Sequence, residues 1–139
     1  MKDGYICLMH HPVYPYLEIR ITPRRGRGVF SARPLPEGFL IEEAPVIVMP
    51  EKDRTLLDQT LLHDYIFEWH AGGEKGCCMA LGYVPVYNHD SPSNCEYVMD
   101  YETNTIRIYA VRDIAAGEEL TINYNGDFDA AGAVWFEQE

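Results

Sequence analysis

Glycine and proline divide this chain into short runs, and that limits what it can fold into. Eleven glycines and nine prolines fall among 139 residues. Leu17-Glu18-Ile19-Arg20-Ile21 alternates apolar and polar residues, as a half-buried strand does. Pro34-Leu35-Pro36-Glu37-Gly38 reads as a turn, with Phe39-Leu40-Ile41 and Pro45-Val46-Ile47-Val48-Met49 as short strands after it. Between Cys95 and Ala110 the pattern is a hairpin. Tyr97, Met99 and Tyr101 alternate on one arm, Ile106, Ile108 and Ala110 on the other, and Glu102-Thr103-Asn104 turns between them. Leu120, Ile122 and Tyr124 mark a last strand. One helix is expected, over Thr55–His70. There Leu57, Leu61, Tyr65 and Trp69 recur every four residues, Leu62 and Ile66 widen the face, Asp53 or Thr55 caps the start, and Ala71-Gly72-Gly73 ends it. The fold class is therefore mostly β (α+β): several small, short-stranded sheets with one main helix. A faint internal echo links Arg33-x-Leu35-x-x-Gly38 to Arg112-x-Ile114-x-x-Gly117, each leading into a strand.

The length fits one domain, residues 1–139. Its hydrophobic fraction of 47% is enough for a core without disulfides or a structural metal. Twenty-two acids against eleven bases give a net charge of −11. Direct nucleic-acid binding needs a basic face, so that class is disfavoured, and a basic protein or peptide suits the charge better. No apolar run reaches membrane-spanning length, and Met1–Cys7 is too short a stretch for a secretory signal. The expectation is an intracellular protein: cytoplasmic in a bacterium, nuclear or cytoplasmic in a eukaryote or virus. Cys7, Cys77, Cys78 and Cys95 match no common zinc spacing and read as reduced, buried thiols. The His10-His11 pair alone is a poor chelator, so no metal site is expected.

Three segments carry composition that a plain core does not need. Arg24-Arg25-Gly26-Arg27-Gly28 precedes a short apolar strand, and its glycines let backbone approach a ligand. Tyr87-Asn88-His89-Asp90-Ser91-Pro92-Ser93-Asn94-Cys95 gathers amides, an imidazole and a carboxylate around a proline. Gly117-Glu118-Glu119-Leu120-Thr121-Ile122-Asn123-Tyr124 is a turn glycine, two acids and a strand ending in tyrosine. With the Glu37-Gly38 turn, these occur in the order found in SET-domain protein lysine methyltransferases, over Arg24 to Tyr124. The chain resembles the minimal viral and bacterial members, and Met79-Ala80-Leu81-Gly82-Tyr83 and Asp64-Tyr65-Ile66-Phe67 add to that likeness.

The resemblance implies a SET fold with core motifs over residues 17–124, a C-terminal pseudoknot, and a terminal segment, 125–139, that closes the site. It implies methyl transfer from S-adenosylmethionine to the ε-amine of a lysine in a basic, histone-like segment. Arg25, Gly26, Arg27, Gly28, Asn88, His89, Tyr124 and Trp135 are the implied cofactor contacts. Tyr124 is the implied central catalytic tyrosine, with Tyr65 and Tyr97 as channel walls. Tyr65, Tyr83, Tyr97, Ile122 and Phe128 are the implied substrate contacts. Glu118 and Glu119 point to opposite faces of a strand and so do not form an acid–base pair. They read instead as turn and peptide-recognition acids. The departure Asn88-His89-Asp90-Ser91-Pro92-Ser93-Asn94 from the family pattern sustains one alternative, a catalytically inactive SET-like module that binds peptides or self-associates. Small relatives of this kind dimerise, so a homodimer is also an expectation.

Overall fold

A computed structural model describes residues 14–126. Within them, nine strands make two sheets. The smaller sheet has the order β1 (Leu17–Thr22), β2 (Gly26–Ser31), β9 (Glu119–Ile122) and β6 (Asn88–His89). The larger runs β4 (Phe67–Trp69), β5 (Gly76–Ala80), β3 (Leu40–Met49), β8 (Thr105–Ala110) and β7 (Cys95–Asp100). The expected β1 and β7–β8 elements form, and Asn104 takes the hairpin turn with φ +53°.

The expected pair of strands after the Pro34–Gly38 turn is a single ten-residue strand. β3 pairs with β8 over Leu40–Pro45 and with β5 over Val46–Met49. Pro45 sits where the strand changes partners, a place that tolerates a residue with no N–H to give.

The expected long helix does not form. The segment breaks into α1 (Glu51–Leu57), a 3-10 turn at Leu61–Asp64, and β4. Pro50, not Asp53 or Thr55, stands at the N-cap of α1. No residue of α1 is buried, and Leu61 is 74% exposed. The four-residue spacing was distributed over three elements, so it described no helical face. Phe67-Glu68-Trp69 instead lies against β5, with Phe67 opposite Cys78 and Trp69 opposite Gly76. That pairing places the Trp69 indole in the core, at 2% exposure. Aromatic residues gain more from a pleated, half-buried edge than from a solvated helix. Gly72 and Gly73, both at positive φ, then turn the chain between β4 and β5.

The faint echo has a structural counterpart. Leu35 and Ile114 exchange backbone hydrogen bonds of 2.9 and 2.8 Å, forming an antiparallel bridge between the two turns. Gly38 and Gly117 share φ +82°. The Gly38 N–H donates to Ala110, and the Gly117 N–H donates to Ser31. The two turns are therefore joined to each other through Leu35 and Ile114. Leu35 and Ile114 join Val29, Ile41, Ile106, Ile108, Leu120 and Ile122 in one buried cluster that holds the sheets together.

Candidate active site

β6 and β9 are far apart in sequence, yet they pair in parallel, with Asn88 opposite Thr121 and His89 opposite Ile122. The bend after β6 is tied to β9 by one side chain. Asn94 Oδ1 accepts from the Thr121 N–H at 2.8 Å, and Asn94 Nδ2 donates to the Glu119 carbonyl at 2.8 Å. The Asp90 N–H donates to the Ile122 carbonyl. These bonds hold Tyr124, just past β9, beside the Asn-His segment.

Tyr124 is fixed at three points. Its backbone N–H donates to His89 Nδ1 at 3.0 Å. Its ring packs on the His89 imidazole, with centroids 5.2 Å apart. Its hydroxyl donates to the Tyr87 carbonyl at 2.7 Å. His89 accepts at Nδ1, so a neutral ring carries its proton on Nε2. Tyr124 as a residue is 39% exposed, but the hydroxyl is turned inward. Burial pushes the phenol up to about 12, with the neighbouring Tyr65 adding to the rise. At neutral pH Tyr124 is therefore an uncharged phenol, able to orient a partner and unsuited to act as a base.

Two cavities meet at this residue. One, of about 510 Å³, is lined by Phe67, Glu68, Tyr87, Tyr97, Met99 and Tyr101 among others. The second, of about 440 Å³, is lined by Ile21, Arg25, Gly26, Arg27, Val86 and Asn88. Asp64, Tyr65, Pro85 and Tyr124 belong to both walls. The first cavity runs between the edge strands β4 and β7, whose side chains touch through Phe67–Tyr97 (5.4 Å) and Trp69–Tyr101 (4.6 Å). Its lining acids are Asp64 and Glu68.

Glu119 stands behind the lining of the second cavity and braces Asn88, which lines it. Its Oε2 accepts from Asn88 Nδ2 at 2.7 Å, and that amide also donates to the Arg27 carbonyl at 3.0 Å. Arg25 lies 3.9 Å from Glu119 and 3.6 Å from Asp90. Gly28 lies against this pair so closely that a Cβ there would overlap the Glu119 carboxylate and press on the Asn88 amide. A wall that carries Arg25, Arg27, the Asn88 amide and Asp64 suits a zwitterionic ligand end. Its volume lies within the roughly 300–1,000 Å³ usual for small-molecule sites.

Of the expected cofactor contacts, Arg25, Gly26, Arg27, Asn88 and Tyr124 line the second cavity, and Gly28 packs behind it. His89 lines neither cavity: it is 6% exposed and holds Tyr124 instead. Of the expected substrate contacts, Tyr65 and Tyr97 line the first cavity. Ile122 does not, because it is fully buried in the core cluster. Tyr83 does not either: its ring packs on the core and its N–H donates to Glu42. Trp135 and Phe128 lie outside the described residues.

The two acids of the last turn divide their work differently from expectation. Glu118 closes the turn, accepting from the Ala115 N–H and pairing with Arg112, which holds its carboxyl below the usual range. Glu119 accepts from the Asn88 amide, behind the second cavity. Asn94, Glu119 and the buried Glu42 are the residues whose positions a linear pattern could not give.

The class follows from this geometry and from the match between residues 26–125 and the SET domain: the chain belongs to the SET-domain family. It is 39% identical over 124 residues to the H3 lysine-37-specific histone-lysine N-methyltransferase of Schizosaccharomyces pombe, covering 88% of this chain and 78% of that one. It is 30% identical over 130 residues to histone-lysine N-methyltransferase NSD3 of Mus musculus, of which it covers only 8%. A crystal structure of a Plasmodium falciparum putative histone methyltransferase superposes with a TM-score of 0.62, covering 89% of this chain and 99% of that one at 24% identity. The last likeness concerns the fold.

Proposed function

We propose that this chain transfers a methyl group from S-adenosylmethionine to the ε-amine of a lysine in a basic protein segment of the histone type. The observation that carries the reading is the shared wall: one tyrosine pair, Tyr124 and Tyr65, stands between a cavity with a charged zwitterion-like lining and a groove with an aromatic and acidic lining. The family and its histone-lysine methyltransferase relatives support the same chemistry.

S-adenosylmethionine, when bound, supplies an electrophilic methyl on a sulfonium. The second cavity would hold it through Arg25 at the carboxylate and Asn88, braced by Glu119, at the amino end, with Tyr65 and Tyr124 lining the side it shares with the first cavity. A lysine amine has a free pKa near 10.4 and is protonated at neutral pH. The tyrosines at the inner end of the first cavity desolvate that ammonium and favour its neutral form. Asp64 and Glu68 give the groove acidic groups that attract a basic segment. The Tyr124 hydroxyl donates to the Tyr87 carbonyl, which fixes the phenol at the junction of the two cavities, where it can orient an amine. The protein's contribution is then orientation and exclusion of water, which an in-line displacement rewards most.

Incubation with labelled S-adenosylmethionine and a panel of basic proteins tests this. Label should appear on lysine. Tyr124→Phe should lower turnover by about a hundredfold, while calorimetry shows cofactor affinity within about twofold. Absence of binding heat in the unaltered protein would remove the cofactor assignment and leave a peptide-binding module.

A further inference from the structure

Glu42 has no place in the scheme so far, and its surroundings are unusual. It is a carboxylate on β3 with 2% of its surface exposed, inside the apolar core. Burial pushes it above the ordinary carboxyl range, although two donors pull the other way. Those donors are the two ends of one short segment. Oε2 accepts from the Tyr83 N–H at 2.7 Å, and Oε1 accepts from the Tyr87 hydroxyl at 3.1 Å. Between them runs the 3-10 turn Val84–Val86, closed by Val86 N–H to Tyr83 at 2.8 Å. Gly82, at φ +69°, sits so close that a Cβ would overlap Glu42 Oε2. Sequence and space have both been given up to admit this one acid.

The segment it clamps has two exports to the site. Pro85 lines both cavities, and the Tyr87 carbonyl receives the Tyr124 hydroxyl. We propose that Glu42 is a positioning residue for the transfer. By fixing both ends of the Tyr83–Tyr87 segment, it aims the Tyr87 carbonyl and thereby the hydroxyl of Tyr124 at the cavity junction. A charged group costs more to bury than an apolar one of similar size. Its place in the core is explained by a clamp that sets geometry a methyl-bearing side chain could not. The chain of contacts is short: Glu42 to Tyr87 ring, Tyr87 carbonyl to Tyr124 hydroxyl.

The inference rests on the transfer reading above, so its test includes a measurement that needs no turnover. Glu42→Gln keeps the size but has a single acceptor oxygen: when that oxygen meets the Tyr83 N–H, the NH2 faces the Tyr87 hydroxyl, which must turn from donor to acceptor. Tyr87→Phe removes only the hydroxyl contact and keeps the carbonyl. Expected for Glu42→Gln is a kcat about tenfold lower, with KM for peptide and cofactor affinity unchanged within about twofold. Tyr87→Phe should lower kcat about threefold, on the same grounds. The Tyr124 phenol, followed by carbon-13 NMR of labelled tyrosine, should titrate about one unit lower in Glu42→Gln as the turn loosens and water reaches the hydroxyl. Should Glu42→Gln not fold, Tyr87→Phe decides through both readouts. Wild-type kcat and an unmoved Tyr124 titration in a folded variant overturn the proposal, as does a proportional loss of kcat and cofactor affinity. If the unaltered protein transfers no methyl group, the transfer reading fails, and the Tyr124 titration still decides whether Glu42 controls that hydroxyl.

Discussion

Asn94 does with one side chain what a strand does with several backbone groups. It satisfies the Thr121 N–H and the Glu119 carbonyl in a place with 5% exposure, and so fastens the Asn-His bend to the tyrosine strand. Removing it leaves two buried backbone groups without that partner, at about 1–3 kcal/mol each. Asn94→Ala should therefore lower stability by about 3 kcal/mol and the midpoint of thermal unfolding by roughly 10 °C. Calorimetry at neutral pH checks it, and a drop under about 3 °C means the bend is held by something else. Asn94→Asp should cost at least as much as Asn94→Ala, because the carboxylate still accepts from Thr121 but sets an oxygen against the Glu119 carbonyl and adds a buried charge. The importance of Asn88, His89 and Asn94 could be read from the sequence, because amides and an imidazole clustered round a proline have no use in a plain core. Their division of labour could not. Whether an imidazole faces a ligand or a backbone N–H depends on parallel pairing between segments far apart in sequence, and His89 turned to Tyr124.

Among elements, β2 shows how closely secondary structure and site are joined. Its Gly28 pairs with Arg20 on β1 while its other face meets Glu119 and Asn88. The backbone there is ordinary extended strand, so a side chain is excluded by neighbours and not by φ. Gly28→Ala should push the Glu119 carboxylate away from Asn88 and Arg25, an overpacking that costs about 1–3 kcal/mol. Cofactor affinity should fall about tenfold or more, since 1.4 kcal/mol is a factor of ten. Titration calorimetry reads it, and affinity within twofold of the unaltered protein shows that Glu119 has room to move. The strands of this molecule were legible where alternation or a turn marked them, as in β1, β7 and β8. The helix was not, because Leu57, Leu61, Tyr65 and Trp69 imitate a helical stripe while lying in a helix, a 3-10 turn, the residue after it and a strand. Pairing of β4 with β5 decided that segment, and pairing partners are absent from local periodicity.

At the scale of the whole molecule, the buried ionisable groups share one direction. Burial pushes the Cys78 and Cys95 thiols up to about 12, and Cys77 upward as well. The Tyr124 phenol also rises to about 12, and the fully buried Tyr87 rises well above its ordinary value. In each case the fold prefers the protonated form. Unfolded thiols ionise near 9.0 and phenols near 10.0, so above those values the unfolded chain loses protons that the native one keeps. The contribution to stability is complete below about pH 9 and drains away as pH rises toward about 12. Acid has no matching effect through these groups, and Glu42, raised for the same reason, is more easily buried as the pH falls. Through these groups the domain should therefore be labile to alkali. Between pH 8 and pH 10.5 the urea midpoint should fall by on the order of 1 M, while the slope m stays constant. Over the same range, thiol reagents should label Cys77, Cys78 and Cys95 only as fast as the chain opens, because a protonated, buried sulfur is not a nucleophile. A midpoint that does not move with pH, or rapid labelling of folded protein at pH 8, would mean that these side chains are reached by water without unfolding, and that the core uniting the two sheets is looser than its packing indicates.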